Sequence, residues 1–124
     1  MLPIILATAL MQSAGLTPDQ RGSDLYQSCK ANIRTMDSPT PTTTDLIEGR
    51  ACQQYISGFL DGLMFADDMV CADTATLGTL TRVYVAYMER DPKLMDAPKA
   101  SGLLESLAVA YPCPVKPEKA PPKK

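Results

Sequence analysis

From residue 15 onward, apolar positions recur at spacings of three and four in four separate stretches, the period of amphipathic helices. The first begins near Ser23, whose hydroxyl is placed to cap it, and carries Leu25, Tyr26, Cys29 and Ile33 on one face. The second and longest is predicted over Glu48 to Met69. Its stripe is Cys52, Tyr55, Ile56, Phe59, Leu63 and Ala66, widened by Leu60 and Met64. The third starts near Thr74 or Thr76 and presents Leu77, Leu80, Val83, Tyr84, Tyr87 and Met88. It ends at Asp91, because Pro92 disfavours helix in the residue before it. The fourth covers about Ala97 to Ala110, burying Leu103, Leu104, Leu107 and Tyr111, until Pro112 and Pro114 stop it. No stretch reads as a convincing strand and no internal repeat appears. The expected fold class is all-α: a small four-helix domain.

The intervals between helices carry their own signals. Residues 15–22 read as a short leader, and 70–73 as a turn. A loop is predicted over Thr35–Asp45, where Pro39, Pro41 and a run of β-branched threonines oppose helix. Gly58 and Gly62 are spaced for close approach of another helix. Residues 1–14 are an apolar run ending in small residues, the shape of a secretory signal, and too short to span a membrane, which needs about 20 residues. Residues 15–113 form the expected domain. The tail, 114–124, rich in proline and lysine, is expected to be disordered.

Composition sharpens this picture. Apolar residues make up 45 % of the 124-residue chain, but there are two Phe, five Tyr and no Trp, so the core must be mainly aliphatic and methionine-rich. The net charge of −2 divides unevenly: Lys116, Lys119, Lys123 and Lys124 against Glu118 make the tail basic, and the body is correspondingly acidic. An acidic body argues against nucleic-acid binding and suits a basic protein partner. No stretch after the signal is long and apolar enough to insert in a membrane.

Four cysteines, Cys29, Cys52, Cys71 and Cys113, in a short exported chain read as two disulfides. Zinc is disfavoured: there is no C-x-x-C pair and no His. Cys52 and Cys71 would lie at opposite ends of the long helix, about 28 Å apart at 1.5 Å per residue, far beyond the ~7 Å a disulfide spans. Of the two connectivities left, a hairpin of the third and fourth helices favours Cys71–Cys113, with Cys29–Cys52 across the first loop. The alternative joins Cys29 to Cys71 and Cys52 to Cys113.

Catalytic chemistry finds little footing. Without His there is no Ser–His or Cys–His dyad, and paired thiols cannot act as nucleophiles. No glycine-rich phosphate loop is present, and no cofactor is implied. Asp61 and Asp68 share a helical face, and Asp67 and Asp68 would supply half of a metal site, but no calcium-loop pattern surrounds them, so no metal is expected. Asp61, Asp67, Asp68 and Asp73 therefore read as a solvated helix end. Met64, Met69, Met88 and Met95 read as core before they read as an adaptable binding surface.

Cys29, the C-x-x-Y-x-x-G-x-x-D-G run from Cys52 through Tyr55, Gly58 and Asp61 to Gly62, then Cys71, Leu80, Tyr87, Asp91, Pro92 and Cys113 together resemble a family. The resemblance is to the Tai-type immunity proteins, which neutralise amidase toxins of type VI secretion, and it covers about residues 22–114. It implies a periplasmic, all-helical, often dimeric protein that plugs the active-site groove of a peptidoglycan-cleaving amidase. The matched residues are structural, so the contact surface does not carry over with them. The loop Thr35–Asp45 and the acidic end at Asp67, Asp68 and Asp73 are the sequence's candidates for partner binding. Two other classes fit the same features: an HdeA-like periplasmic acid-stress chaperone, and a non-enzymatic envelope adaptor using the Pro/Lys tail.

Overall fold

A computed structural model of the chain describes residues 17–63 and 69–114. The signal segment 1–14, Met64, Ala66, Asp67, Asp68 and tail residues 115–124 lie outside the described residues. The described chain folds into four α-helices: α1 (Gly22–Asp37), α2 (Thr43–Leu63), α3 (Leu77–Arg90) and α4 (Lys99–Ala110). Short 3-10 turns at Pro18–Gln20 and Pro92–Met95 precede α1 and join α3 to α4. No strand forms among the described residues; only the isolated bridges Arg21–Pro98 and Val70–Pro112 pair extended backbone. No described helix is long and apolar enough to cross a membrane.

Helix ends follow local chemistry. Ser38 is extended, as expected for a residue preceding Pro39, so α1 runs through Asp37 rather than stopping near Thr35. α2 begins at Thr43, five residues before the predicted Glu48. The Thr42 hydroxyl accepts the Asp45 N–H at 3.1 Å, an N-terminal cap that outweighs the poor helix propensity of the threonines. The predicted loop Thr35–Asp45 is therefore a short connection over residues 38–42. The described part of α2 ends at Leu63. α3 has the expected cap: Thr76 Oγ1 accepts the Thr79 N–H at 3.2 Å. It ends at Arg90, ahead of Asp91 and Pro92.

The core joins Leu25 and Cys29 of α1, Cys52 and Ile56 of α2, Leu80, Tyr84, Val85 and Met88 of α3, Leu94, and Leu103 and Leu107 of α4. α1 packs against each of the other three helices. The Tyr84 hydroxyl donates to the Gly22 carbonyl at 3.2 Å, and burial pushes this phenol well above its ordinary value. A polar chain threads the α1–α2–α3 junction. Gln53 Nε2 donates to Asn32 Oδ1 (2.9 Å), Asn32 Nδ2 to Thr81 Oγ1 (3.2 Å), and Thr81 Oγ1 to the Leu77 carbonyl (2.8 Å). These bonds let Asn32 and Thr81 be buried without losing partners.

Two disulfides form, Cys29–Cys52 and Cys71–Cys113, with Cα atoms 4.9 and 4.8 Å apart. This is the favoured connectivity. The first lies within the core. The second closes the α3–α4 hairpin at its outer ends, where the Cys71 N–H also donates to the Tyr111 carbonyl at 2.8 Å.

The expectation for Gly58 and Gly62 is corrected. Both are exposed, and a Cβ on either would meet nothing within 4 Å. The close approach occurs at Gly49 instead, where a Cβ would stand 2.8 Å from the Asn32 Cα. Leu77, predicted on the packed side of its helix, is 37 % exposed.

Candidate protein-docking surface

α2 has two faces. Gly49, Cys52 and Ile56 turn inward. Leu46, Arg50, Gln54, Ser57 and Asp61 recur at spacings of three and four and line one side of a groove of about 820 Å³. Asn32 and Thr35 of α1 and Leu77 of α3 contribute to its wall. Gly58 also lines the groove and leaves helix backbone bare there. Next to Leu77 in sequence, Gly78 lies beside Met36 of α1, a further apolar side chain that is 39 % exposed.

The charged side chains of the helices differ in their state. Arg34 pairs with Asp45 (3.0 Å), Arg82 with Asp37, and Lys99 with Asp24 (2.9 Å). The Arg34 and Arg82 guanidiniums, through their hydrogen bonds, hold the carboxyls of Asp45 and Asp37 below the usual carboxylate range. Arg50 and Asp61, near the two ends of the groove, have no ion pair or side-chain hydrogen bond among the described residues. Thr35 carries the buried side-chain oxygen left without a hydrogen-bond partner among those residues.

The sequence-derived candidates are placed differently. Asp73 is exposed and lines a second hollow of about 470 Å³ with Leu60, Leu63, Val70 and Leu80, which shares Leu77 with the α2 groove. Asp67 and Asp68 lie outside the described residues, so the acidic trio is not seen together. The connection over residues 38–42 is held at both sides by the Arg34–Asp45 and Arg82–Asp37 pairs. Arg50, Gln54 and Gly58 were not singled out as binding residues from sequence. The available signal was the polar stripe at helical period opposite Cys52 and Ile56, with an outward glycine inside it. Among the described residues no cluster of acidic, thiol or imidazole groups is arranged to hold a metal. Met88 is fully buried, whereas Met69 is half exposed.

Residues 21–113 match the family model of the Rap1a immunity proteins, a span that takes in all four helices and both disulfides. The chain belongs to the Rap1a immunity proteins. Comparison with curated proteins gave no match, and comparison with solved structures gave none either. The resemblance seen in sequence thus reached an immunity family. Membership of the Rap1a immunity proteins implies a protein toxin as partner.

Proposed function

We propose that this Rap1a-family protein is a periplasmic immunity protein that binds and blocks a peptidoglycan-cleaving amidase toxin of type VI secretion. The observation that carries the reading is the family match over residues 21–113. Three features support it. Two disulfides suit an oxidising compartment outside the cytoplasm. Residues 1–14 have the pattern of a secretory signal. An acidic body steers a basic toxin into encounter. The protein acts by occupying the toxin's groove and performs no chemistry of its own. Asp73, with Asp67 and Asp68, and the connection after α1 are candidates for the part that enters that groove.

The test mixes the purified, oxidised protein with a type VI amidase toxin encoded in the same genome. Heat of binding and release of peptidoglycan fragments are followed at neutral pH. The expected result is saturable, stoichiometric binding with loss of hydrolysis. No binding to any such toxin, together with protection of many unrelated clients only at low pH, would replace this reading with the HdeA-like one.

A further inference from the structure

Within the toxin-binding reading, on which this rests, we infer that the α2 groove is a receptor for a short extended segment of the toxin, with an acidic side chain set against Arg50 and a basic one against Asp61. The two ends are eleven residues apart on a helix, about 16 Å, a span that about five extended residues cover. Arg50 and Asp61 have no ion pair among the described residues, whereas Arg34, Arg82 and Lys99 already have carboxylate partners. A segment with the opposite polarity supplies the missing counter-charges at both ends.

The middle of the groove fits extended backbone. A peptide in that conformation presents free N–H and C=O groups that must be met on docking. The amide of Gln54 and the hydroxyl of Ser57 offer both donor and acceptor and have no partner of their own among the described residues. Gln53 is engaged through Nε2 with Asn32, which fixes its side chain and leaves its carbonyl oxygen available. Gly58 removes the side chain that would otherwise fill the groove, so the approaching chain can lie close to the α2 backbone. Leu46 and Leu77, both exposed, add apolar contact area to the lining.

A second copy of this chain is the competing occupant, because a twofold pairing of α2 helices also sets Arg50 against Asp61. The lining decides against it. Permanent homodimer interfaces resemble a divided core, rich in apolar side chains. This groove has two apolar side chains, Leu46 and Leu77, among three amides, two hydroxyls and two charges, the composition of a contact between separately folded partners.

The test uses the full, oxidised protein and the type VI amidase toxin of the same genome, inactivated in its catalytic residue. Gly58→Arg puts a long side chain into the groove from a position where an added Cβ meets nothing within 4 Å, and Arg50→Glu and Asp61→Lys reverse its ends. Val109→Glu, on an exposed site of α4, is the control. Gly58→Arg is expected to weaken toxin binding about 100-fold and each charge reversal about tenfold, with melting temperatures at or above that of the parent and the control binding normally. If the parent protein binds the toxin and Gly58→Arg binds it equally well, the groove is not the receptor, while the immunity reading stands. If Gly58→Arg changes only the sedimentation of the free protein from dimer to monomer, the occupant is a second copy and the inference is overturned. If the parent binds no such toxin, the immunity reading fails and this inference with it.

Discussion

Gly49 and Gly58, nine residues apart on α2, occupy opposite situations. At Gly49 an added methyl would strike the backbone of Asn32, whose side chain links Gln53 to Thr81 through the helix junction. At Gly58 it would stand in open space. Gly49→Ala is expected to destabilise the fold by about 1–3 kcal/mol through overpacking. Gly58→Ala is expected to stabilise it by about 0.4–1 kcal/mol, since alanine lowers the entropy of the unfolded chain and no clash opposes it. Urea denaturation of the two variants checks both signs. The sequence drew attention to Gly58 and Gly62 because of their spacing, but spacing does not say which face of a helix meets a neighbour. Gly49 had no such partner to mark it, although Cys52 and Ile56, one and two turns further on, share its inward direction. Arg50 was invisible for a related reason: a solvated arginine and one awaiting a partner look alike until the pairing of every neighbouring charge is known.

At the scale of elements, apolar periodicity located four helices, and the Thr76 cap and the stop before Pro92 were legible because side chain and proline act within a few residues. The start of α2 was misplaced because β-branched threonines were weighted as helix breakers. The Thr42 cap and the Arg34–Asp45 pair across the connection favour helix there instead. These pairs give an acid sensitivity of known sign. The folded-state carboxyls of Asp37 and Asp45 lie below their ordinary value of 3.8 because of Arg82 and Arg34. Their contribution is present above that ordinary value and is lost as pH falls through the lowered one. The stability difference between the parent and Asp45→Asn is therefore expected to be constant from pH 7 to about 5 and to shrink below about 4. Urea midpoints across this range measure it. A difference that grows on acidification would contradict the assigned role of the pair.

For the whole molecule, the two disulfides close loops of 23 and 42 residues in sequence separation. In the chain-entropy picture each is worth about 3 to 4 kcal/mol. Their accessibility differs: Cys29 and Cys52 are fully buried, whereas Cys71 is exposed and Cys113 half-buried. Thiolate attack needs access to a sulfur, so a mild dithiol is expected to open Cys71–Cys113 first. Timed alkylation followed by peptide mass analysis should label Cys71 and Cys113 before Cys29 and Cys52, and the reverse order would contradict the packing described. The pairing was readable in sequence because α2 carries the chain eleven residues beyond Cys52 to Leu63, and a hairpin brings the last two cysteines together. The docking surface was not readable, because it depends on how three helices meet around Asn32, and periodicity describes each helix alone.

The central claim is that this Rap1a-family protein protects a cell envelope by binding a toxin. The most direct measurement is survival of a susceptible bacterium in which a type VI amidase of the same genome is exported to the periplasm, with and without this full chain. Cells carrying the chain are expected to grow as if the toxin were absent, and cells carrying it without residues 1–14 are expected to lyse. Equal lysis with and without the full, exported chain, for every such amidase, would contradict the claim.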